Sequence, residues 1–308
     1  MSIIKAFPIF EEKELTSLDS YDPLKAIRIQ KVWKKGLKGK GITIAVLDTG
    51  IDISHPEFNG RIVGGANFTD EDDANFSNFK DYNGHGTHVA GIISTNNLKE
   101  TTSVAPEANL FIGKILDKDG TGTVENLINA IYYAINWRGK NNEKVRALCL
   151  SLGTKEKHKG LYEAVKYATT LGVPIISASG NDRKGDINSE DLRYPSSYNE
   201  SIQVGAMDKN FNLASFSNIN ENMDLLAPGV GITSTFLDGK YKSMSGTSMA
   251  SPFVAGVTAI IIQQIEAELG RELTGSELYA QLIKHTKKNK YPFKVEGNGM
   301  LTLENFQQ

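Results

Sequence analysis

Four short segments each place a reactive side chain among small residues. In Ala45-Val46-Leu47-Asp48-Thr49-Gly50 an apolar run ends in a carboxylate, and Gly50 frees the backbone to turn just beyond it. In Asn83-Gly84-His85-Gly86-Thr87-His88-Val89-Ala90-Gly91 an imidazole, His85, lies between glycines at the start of a helical pattern. Ala90 and Gly91 allow that helix to approach a neighbour closely. In Ser245-Gly246-Thr247-Ser248-Met249-Ala250-Ser251-Pro252 a hydroxyl opens an apolar helix that continues through Phe253 to Ile265. Unpaired N–H groups and the helix dipole favour developing negative charge at such a start, which suits Ser248 to act as a nucleophile. Ile175-Ile176-Ser177-Ala178-Ser179-Gly180-Asn181 ends a buried run in an amide that could donate a hydrogen bond to an oxyanion.

The elements that must position these groups are also legible. Apolar runs at Ile42 to Leu47, Asn109 to Ile115, Ala147 to Leu152, Val173 to Ala178 and Ile202 to Val204 alternate with helical stretches. Such runs predict a mainly parallel central sheet covered by helices on both faces, an α/β fold. Thr123 to Trp137 sets Leu127, Ile128, Ile131, Tyr132, Ala134 and Ile135 at helical spacing, and Leu161 to Leu171 repeats the pattern before Gly172 stops it. In a sheet of this kind the functional site lies beyond the carboxyl ends of the strands.

Composition narrows the class without naming it. The 308 residues include 34 Lys plus Arg against 36 Asp plus Glu, a net charge of −2, which argues against a nucleic-acid partner. The single cysteine, Cys149, lies in an apolar run, forms no internal disulfide and fits a reducing compartment. Lys5 and Pro8 interrupt the apolar start and acidic residues follow it, so no secretory signal is expected. The longest apolar stretch, Phe253 to Ile262, falls short of the roughly 20 residues that a bilayer requires. An unexported, cytoplasmic protein without a membrane partner is the expectation. The acidic segment Asp70 to Asp73 and the basic stretch Lys155 to Lys159 read as solvated loops.

Taken singly, the strand-end Asp48 could be a cap or turn former and His85 a packed loop residue. Their order along the chain, Asp, His, Asn, Ser, joins them. With Asp48-Thr49-Gly50, His85-Gly86-Thr87-His88-Val89-Ala90-Gly91 and Gly246-Thr247-Ser248-Met249-Ala250-Ser251-Pro252, the chain resembles the subtilisin-like serine peptidases. The resemblance runs from about Ala26 to Thr302 and is closest to the bacterial intracellular subtilisins. Val32-Trp33-Lys34-Lys35-Gly36, Ala66-Asn67-Phe68-Thr69-Asp70, Tyr194-Pro195-Ser196-Ser197-Tyr198-Asn199-Glu200 and Ala280-Gln281-Leu282-Ile283 carry the likeness to that branch. Other α/β enzymes fit worse. No G-x-G-x-x-G or P-loop pattern follows a strand, and the residues around Ser248 lack the second glycine of G-x-S-x-G.

The resemblance implies acyl transfer on protein and peptide substrates, with Ser248 as nucleophile, His85 as base, Asp48 orienting the imidazole and Asn181 completing an oxyanion site. His88 is then a buried packing residue. Gly120-Thr121-Gly122 and Ser151-Leu152-Gly153 are the implied edges on which substrate backbone adds a strand, which gives broad specificity. Arg193 falls near the floor of the implied specificity pocket. It either admits acidic side chains, is neutralised by Asp182, Glu190 or Asp191, or is an exposed loop residue. No cofactor is implied for the chemistry, and a homodimer fits the branch.

Residues 1–22 form an N-terminal extension ahead of a peptidase domain at 23–308. Ala6-Phe7-Pro8-Ile9 matches in position the inhibitory extension of intracellular subtilisins. It would lie in the cleft as an added strand, with Pro8 bending the chain so that no carbonyl reaches Ser248; the alternative is a surface-packing arm. Calcium is the structural ion associated with the family, and Glu57 and Asp224 stand at implied ligand positions. The loop Asn96-Asn97-Leu98-Lys99-Glu100 carries a lysine, which argues against the tight site.

Overall fold

Alternate residues of one strand set the layering. In β3 (Thr43–Asp48), Ile44 and Val46 join one apolar cluster while Ala45 and Leu47 join another. Both faces of the strand are therefore covered, as its unbroken apolar run requires. The structure is a computed structural model and describes residues 2–11, 22–98, 103–184 and 190–306.

Two short strands open the chain, β1 (Ile3–Ala6) and β2 (Phe10–Glu11), followed by single-turn helices α1 (Pro23–Ala26) and α2 (Gln30–Trp33). After β3 come β4 (Ile62–Asn67), α3 (His85–Ile93), β5 (Asn109–Lys114), β6 (Thr121–Thr123) and α4 (Val124–Asn136). The middle of the chain forms β7 (Val145–Leu150), β8 (Leu152–Gly153), α5 (Lys159–Thr170), β9 (Ile175–Ala178) and β10 (Ser201–Met207). Then follow β11 (Leu225–Pro228), β12 (Ile232–Phe236), β13 (Lys240–Ser245), α6 (Thr247–Leu269) and α7 (Gly275–Lys284). The last elements are β14 (Thr286–Lys287), α8 (Phe293–Glu296) and β15 (Met300–Leu301).

The central sheet has nine strands in the order β14-β15-β11-β10-β9-β7-β3-β5-β4. Every neighbouring pair is parallel except β14 with β15 at the edge. Helices α3 and α6 pack on one face with Ile44 and Val46, and α4 and α5 cover the other with Ala45 and Leu47. The expected three-layer α/β architecture is the one observed. Thr123 caps α4 by accepting from the Asn126 N–H, and Leu127, Ala130, Ile131 and Ala134 turn inward from it. By length and composition alone α6 could cross a membrane, but its residues from Thr247 to Ile262 are buried in the protein.

Two three-stranded sheets lie outside the main one, ordered β6-β1-β8 and β12-β13-β2. Both take a strand from the N-terminal extension. Residues 12–21 of that extension, and Lys99 and Glu100 of the altered loop, lie outside the described residues.

Candidate active site

Asp48 is the last residue of β3, and its backbone carbonyl accepts from the N–H groups of Ile115 and Leu116 beyond β5. Its Oδ1 accepts from the Thr49 N–H at 2.8 Å and from His85 Nδ1 at 2.7 Å. Both side chains are almost wholly buried. Among the described residues, His85 Nε2 has no hydrogen-bond partner. Burial opposes the charged imidazole, but the Asp48 carboxylate, with a smaller contribution from Asp81, outweighs it and raises the His85 pKa above 6.5.

His85 opens α3, and the turn before it is pinned by a residue that sequence reasoning missed. Asp81 Oδ1 accepts from the N–H groups of Asn83 and Gly84, and its Oδ2 from the N–H and hydroxyl of Thr87. The signal was present in the sequence as a carboxylate a few residues ahead of a helix start. Gly86 is needed because a Cβ there would lie 2.3 Å from the Gly50 carbonyl. That close approach lets Thr49 Oγ1 accept from the Gly86 N–H at 2.9 Å, tying the Asp48 turn to the His85 helix.

Ser248 lies in the first turn of α6. Its Oγ donates to the Ser151 carbonyl at 3.2 Å, and Ser151 Oγ donates back to the Ser248 carbonyl at 3.0 Å. Strand β7 runs beside β3 with Cys149 level with Val46, so Ser151 lies about level with Asp48. The same edge of the sheet thus carries all three groups. Asn181 follows β9, and its Oδ1 caps α6 by accepting from the Thr247 N–H at 2.9 Å and the Thr247 hydroxyl at 2.8 Å. This fixes the amide and leaves Nδ2 to donate to the Pro8 carbonyl at 2.7 Å.

Gly120-Thr121-Gly122 and Ser151-Leu152-Gly153 form the walls of a slot, and β1 fills it. Ile4 lies level with Gly122 and Lys5 with Thr121 on one side, and Lys5 with Gly153 and Ala6 with Leu152 on the other, both antiparallel. The Ala6 N–H adds a bond to the Gly120 carbonyl. Ile4 is wholly buried, and the Phe7 ring packs where a side chain at Gly153 would otherwise stand. Downstream, β2 pairs with β13, and Phe10 stacks on Phe216 with ring centroids 4.9 Å apart. The ladder stops at Ala6, where its register would next set Phe7 level with Ser151. The Pro8 carbonyl reaches the Asn181 amide, while the Ser151 carbonyl accepts from Ser248 Oγ.

Arg193 is buried, with Nη2 2.5 Å from Asp182 Oδ1 and Nη1 donating to the Leu192 carbonyl. It is not an exposed loop residue. A cavity of about 660 Å³ lies between residues 5–8 and Gly153, Thr154, Asp182 and Arg193.

Subtilase is the description of the family model that matches residues 39–300. The chain belongs to the subtilase family. It is 48% identical over 278 residues to the intracellular serine protease of Paenibacillus polymyxa, covering 90% of this chain and 83% of that one. It is 42% identical over 303 residues to the major intracellular serine protease of Bacillus subtilis (strain 168), covering 97% and 93%. Subtilisin Savinase of Lederbergia lenta is 42% identical over 231 residues, 75% of this chain and 79% of that one. This subtilase is accordingly a serine endopeptidase of the subtilisin type, acting on protein and peptide substrates.

The remaining histidines and the cysteine have structural surroundings. His88 is buried, donates from Nε2 to the Lys242 carbonyl at 3.0 Å, and has its pKa driven down to about 3 by burial. His55 donates to the Lys240 carbonyl, and His158 caps α5. Burial pushes the Cys149 thiol up to about 12, so it is not a nucleophile.

At the two implied calcium positions the carboxylates meet protein donors. Glu57 is buried, with Oε1 accepting from the Tyr241 hydroxyl and Oε2 from the Leu98 N–H, both at 3.0 Å. Asp224 accepts from the Tyr279 hydroxyl at 2.6 Å and the Gln203 N–H at 2.7 Å, and burial raises its pKa to about 6. Among the described residues no cluster of three His, Cys, Asp or Glu side chains could hold a metal.

Proposed function

We propose that the subtilase is a cytoplasmic endopeptidase of broad specificity whose own N-terminal extension blocks its cleft until it is removed. Ser248 Oγ attacks the substrate carbonyl carbon, and its proton passes to His85 Nε2. Asp48 accepts from Nδ1, which fixes the tautomer that leaves Nε2 free as a base. The negative charge on the carbonyl oxygen is met by Asn181 Nδ2 and the Ser248 backbone N–H at the start of α6. The C–N bond then breaks as His85 returns the proton to the leaving amine, and water hydrolyses the acyl-enzyme.

The observation that carries this reading is the seat of β1 between β6 and β8, with the Pro8 carbonyl on Asn181 Nδ2. The slot grips extended peptide through main-chain bonds and brings a carbonyl to an amide donor. The occupant is poorly placed for cleavage. Its ladder ends before Phe7, and the Ser248 hydroxyl donates to the Ser151 carbonyl, which leaves His85 Nε2 without a partner among the described residues. The names of the two intracellular relatives support the cytoplasmic assignment.

Casein hydrolysis by the full chain and by protein lacking residues 1–22 tests both parts. Activity should rise on truncation, and a fluorophosphonate should label the truncated enzyme but not its Ser248→Ala variant. Equal activity of the two forms would reject self-inhibition, and labelling that survives Ser248→Ala would reject the nucleophile.

A further inference from the structure

Lys114 ends β5 level with Asp48, and its side chain is 0% exposed. A buried ammonium persists only with partners, and two of the partners here lead back to the Asp48 turn. Lys114 Nζ donates to the Thr49 carbonyl at 2.8 Å and to the Leu116 carbonyl at 3.3 Å. Thr49 is the residue whose hydroxyl holds Gly86, next to His85, and the Leu116 N–H donates to the Asp48 carbonyl. The charge is met by Glu71 Oε2 at 2.8 Å, and the Tyr82 ring lies 5.4 Å from Nζ. Glu71 is in turn fixed, because its Oε1 accepts from the Lys118 N–H and its backbone carbonyl from Asn67 Nδ2. The acidic segment read from sequence as a solvated loop thus sends one carboxylate inward.

We propose that Lys114 and Glu71 act together as positioning residues for Asp48 and His85. The inference rests on the catalytic roles given above. The ammonium locks the Thr49 carbonyl, so the turn can hold Asp48 Oδ1 on the imidazole and Thr49 Oγ1 on the helix that carries it. The pair also sets a fixed positive and a fixed negative charge behind the carboxylate. Among the described residues, the other charged or titratable groups that act on His85 are Asp48 on β3, Asp81 ahead of α3 and, on α3, His88, whose Nε2 meets the Lys242 carbonyl on β13. Within their printed ranges β12 and the first four turns of α6 contribute no charged residue.

The test follows the His85 ring by NMR as a function of pH in the full chain carrying Ser248→Ala, which removes autolysis. Lys114→Met should move the titration midpoint down by about half a pH unit, because a slack Thr49 turn loosens the Asp48 carboxylate that holds it up. Glu71→Gln should move it down by a similar amount. Glu71 is only partly buried, so this variant keeps the test alive if Lys114→Met does not fold. A pair with a purely structural role would lower the melting temperature and leave the midpoint in place; unmoved midpoints, or upward shifts, would overturn the proposal. Fluorophosphonate labelling of protein lacking residues 1–22, with Ser248 intact, supplies the control. Retained labelling with unmoved midpoints defeats the positioning role alone, whereas absence of labelling defeats the triad and this proposal with it.

Discussion

The side-chain amide of Asn181 donates to the carbonyl of Pro8 at 2.7 Å, across 173 residues of sequence. The proposed oxyanion donor is therefore occupied by the protein's own N-terminal segment. The same contact ties the resting state of the enzyme to its chemistry, because any substrate must displace Pro8 to reach the amide.

Weakening the anchor of that segment should raise activity without removing it. Ile4 is wholly buried in the cluster that includes Leu116, Val124 and Leu127, whereas Ile3 is 53% exposed. Ile4→Ala forfeits roughly 2 to 4 kcal/mol of packing, about a 30- to 1000-fold loosening of the docked strand. Hydrolysis of a short peptide amide by the uncleaved chain should increase accordingly, and Ile3→Ala should leave it unchanged. Equal rates in all three proteins would mean that the strand does not limit access.

Removing the amide itself should act on turnover. Asn181→Ala is expected to lower kcat of the truncated enzyme by about 10²- to 10³-fold, the loss of about 2.7 to 4 kcal/mol known for the oxyanion asparagine of subtilisin, with KM little changed. The alanine also deprives Thr247 of two hydrogen bonds, so its melting temperature should fall. Asn181→Asp keeps those acceptor contacts but not the donor. A loss of turnover in both variants, with melting lowered more in the alanine, separates the two duties of one side chain.

His85 sets the pH response. Its pKa is raised above 6.5, chiefly by Asp48 working against burial, so the acid limb of activity should have its midpoint above pH 6.5. Asp48→Asn should move that limb down and reduce kcat by about 10⁴-fold. The same shift has a folding consequence. The imidazolium adds stability below the unfolded value of 6.5, and that contribution is lost as pH rises through the folded pKa. Urea midpoints measured across pH in Ser248→Ala and in its Asp48→Asn derivative should differ on the acid side and converge on the alkaline side.

The parts of this site visible in the sequence are those in which one side chain and its immediate neighbours carry the signal. Asp48 at a strand end, His85 before a helix and Ser248 at a helix start could each be read locally, and so could the alternating apolar runs that became β3, β5, β7, β9 and β10. What stayed hidden depends on contacts between distant segments. Nothing near Lys114 in sequence announces a buried ammonium, because its counter-ion Glu71 and its acceptor Thr49 lie 43 and 65 residues away. At Glu57 and Asp224 each carboxylate accepts from a tyrosine hydroxyl on another element, Tyr241 on β13 and Tyr279 on α7, a contact that neither local sequence announces. For Arg193 the sequence left three readings open, and the neighbour at 2.5 Å decides which charge it meets.

That pairing leads to a prediction about specificity. Arg193 lines the cavity beside Phe7 and Pro8, and Asp182 cancels its charge there. With the cation neutralised and the Phe7 ring packed at Gly153, the first subsite should favour large apolar side chains over acidic ones. Asp182→Asn leaves the cation facing the cavity, since Asn218 accepts from the residue 182 backbone N–H and holds that turn in either case. The truncated Asp182→Asn enzyme should gain about 10-fold in kcat/KM for a peptide amide with Glu at the first subsite, relative to the matched Phe peptide. Arg193→Ser should show no such gain when combined with Asp182→Asn. Peptide amides differing only at that residue measure the ratio directly; an unchanged Glu-to-Phe ratio in Asp182→Asn would show that Arg193 does not reach the substrate.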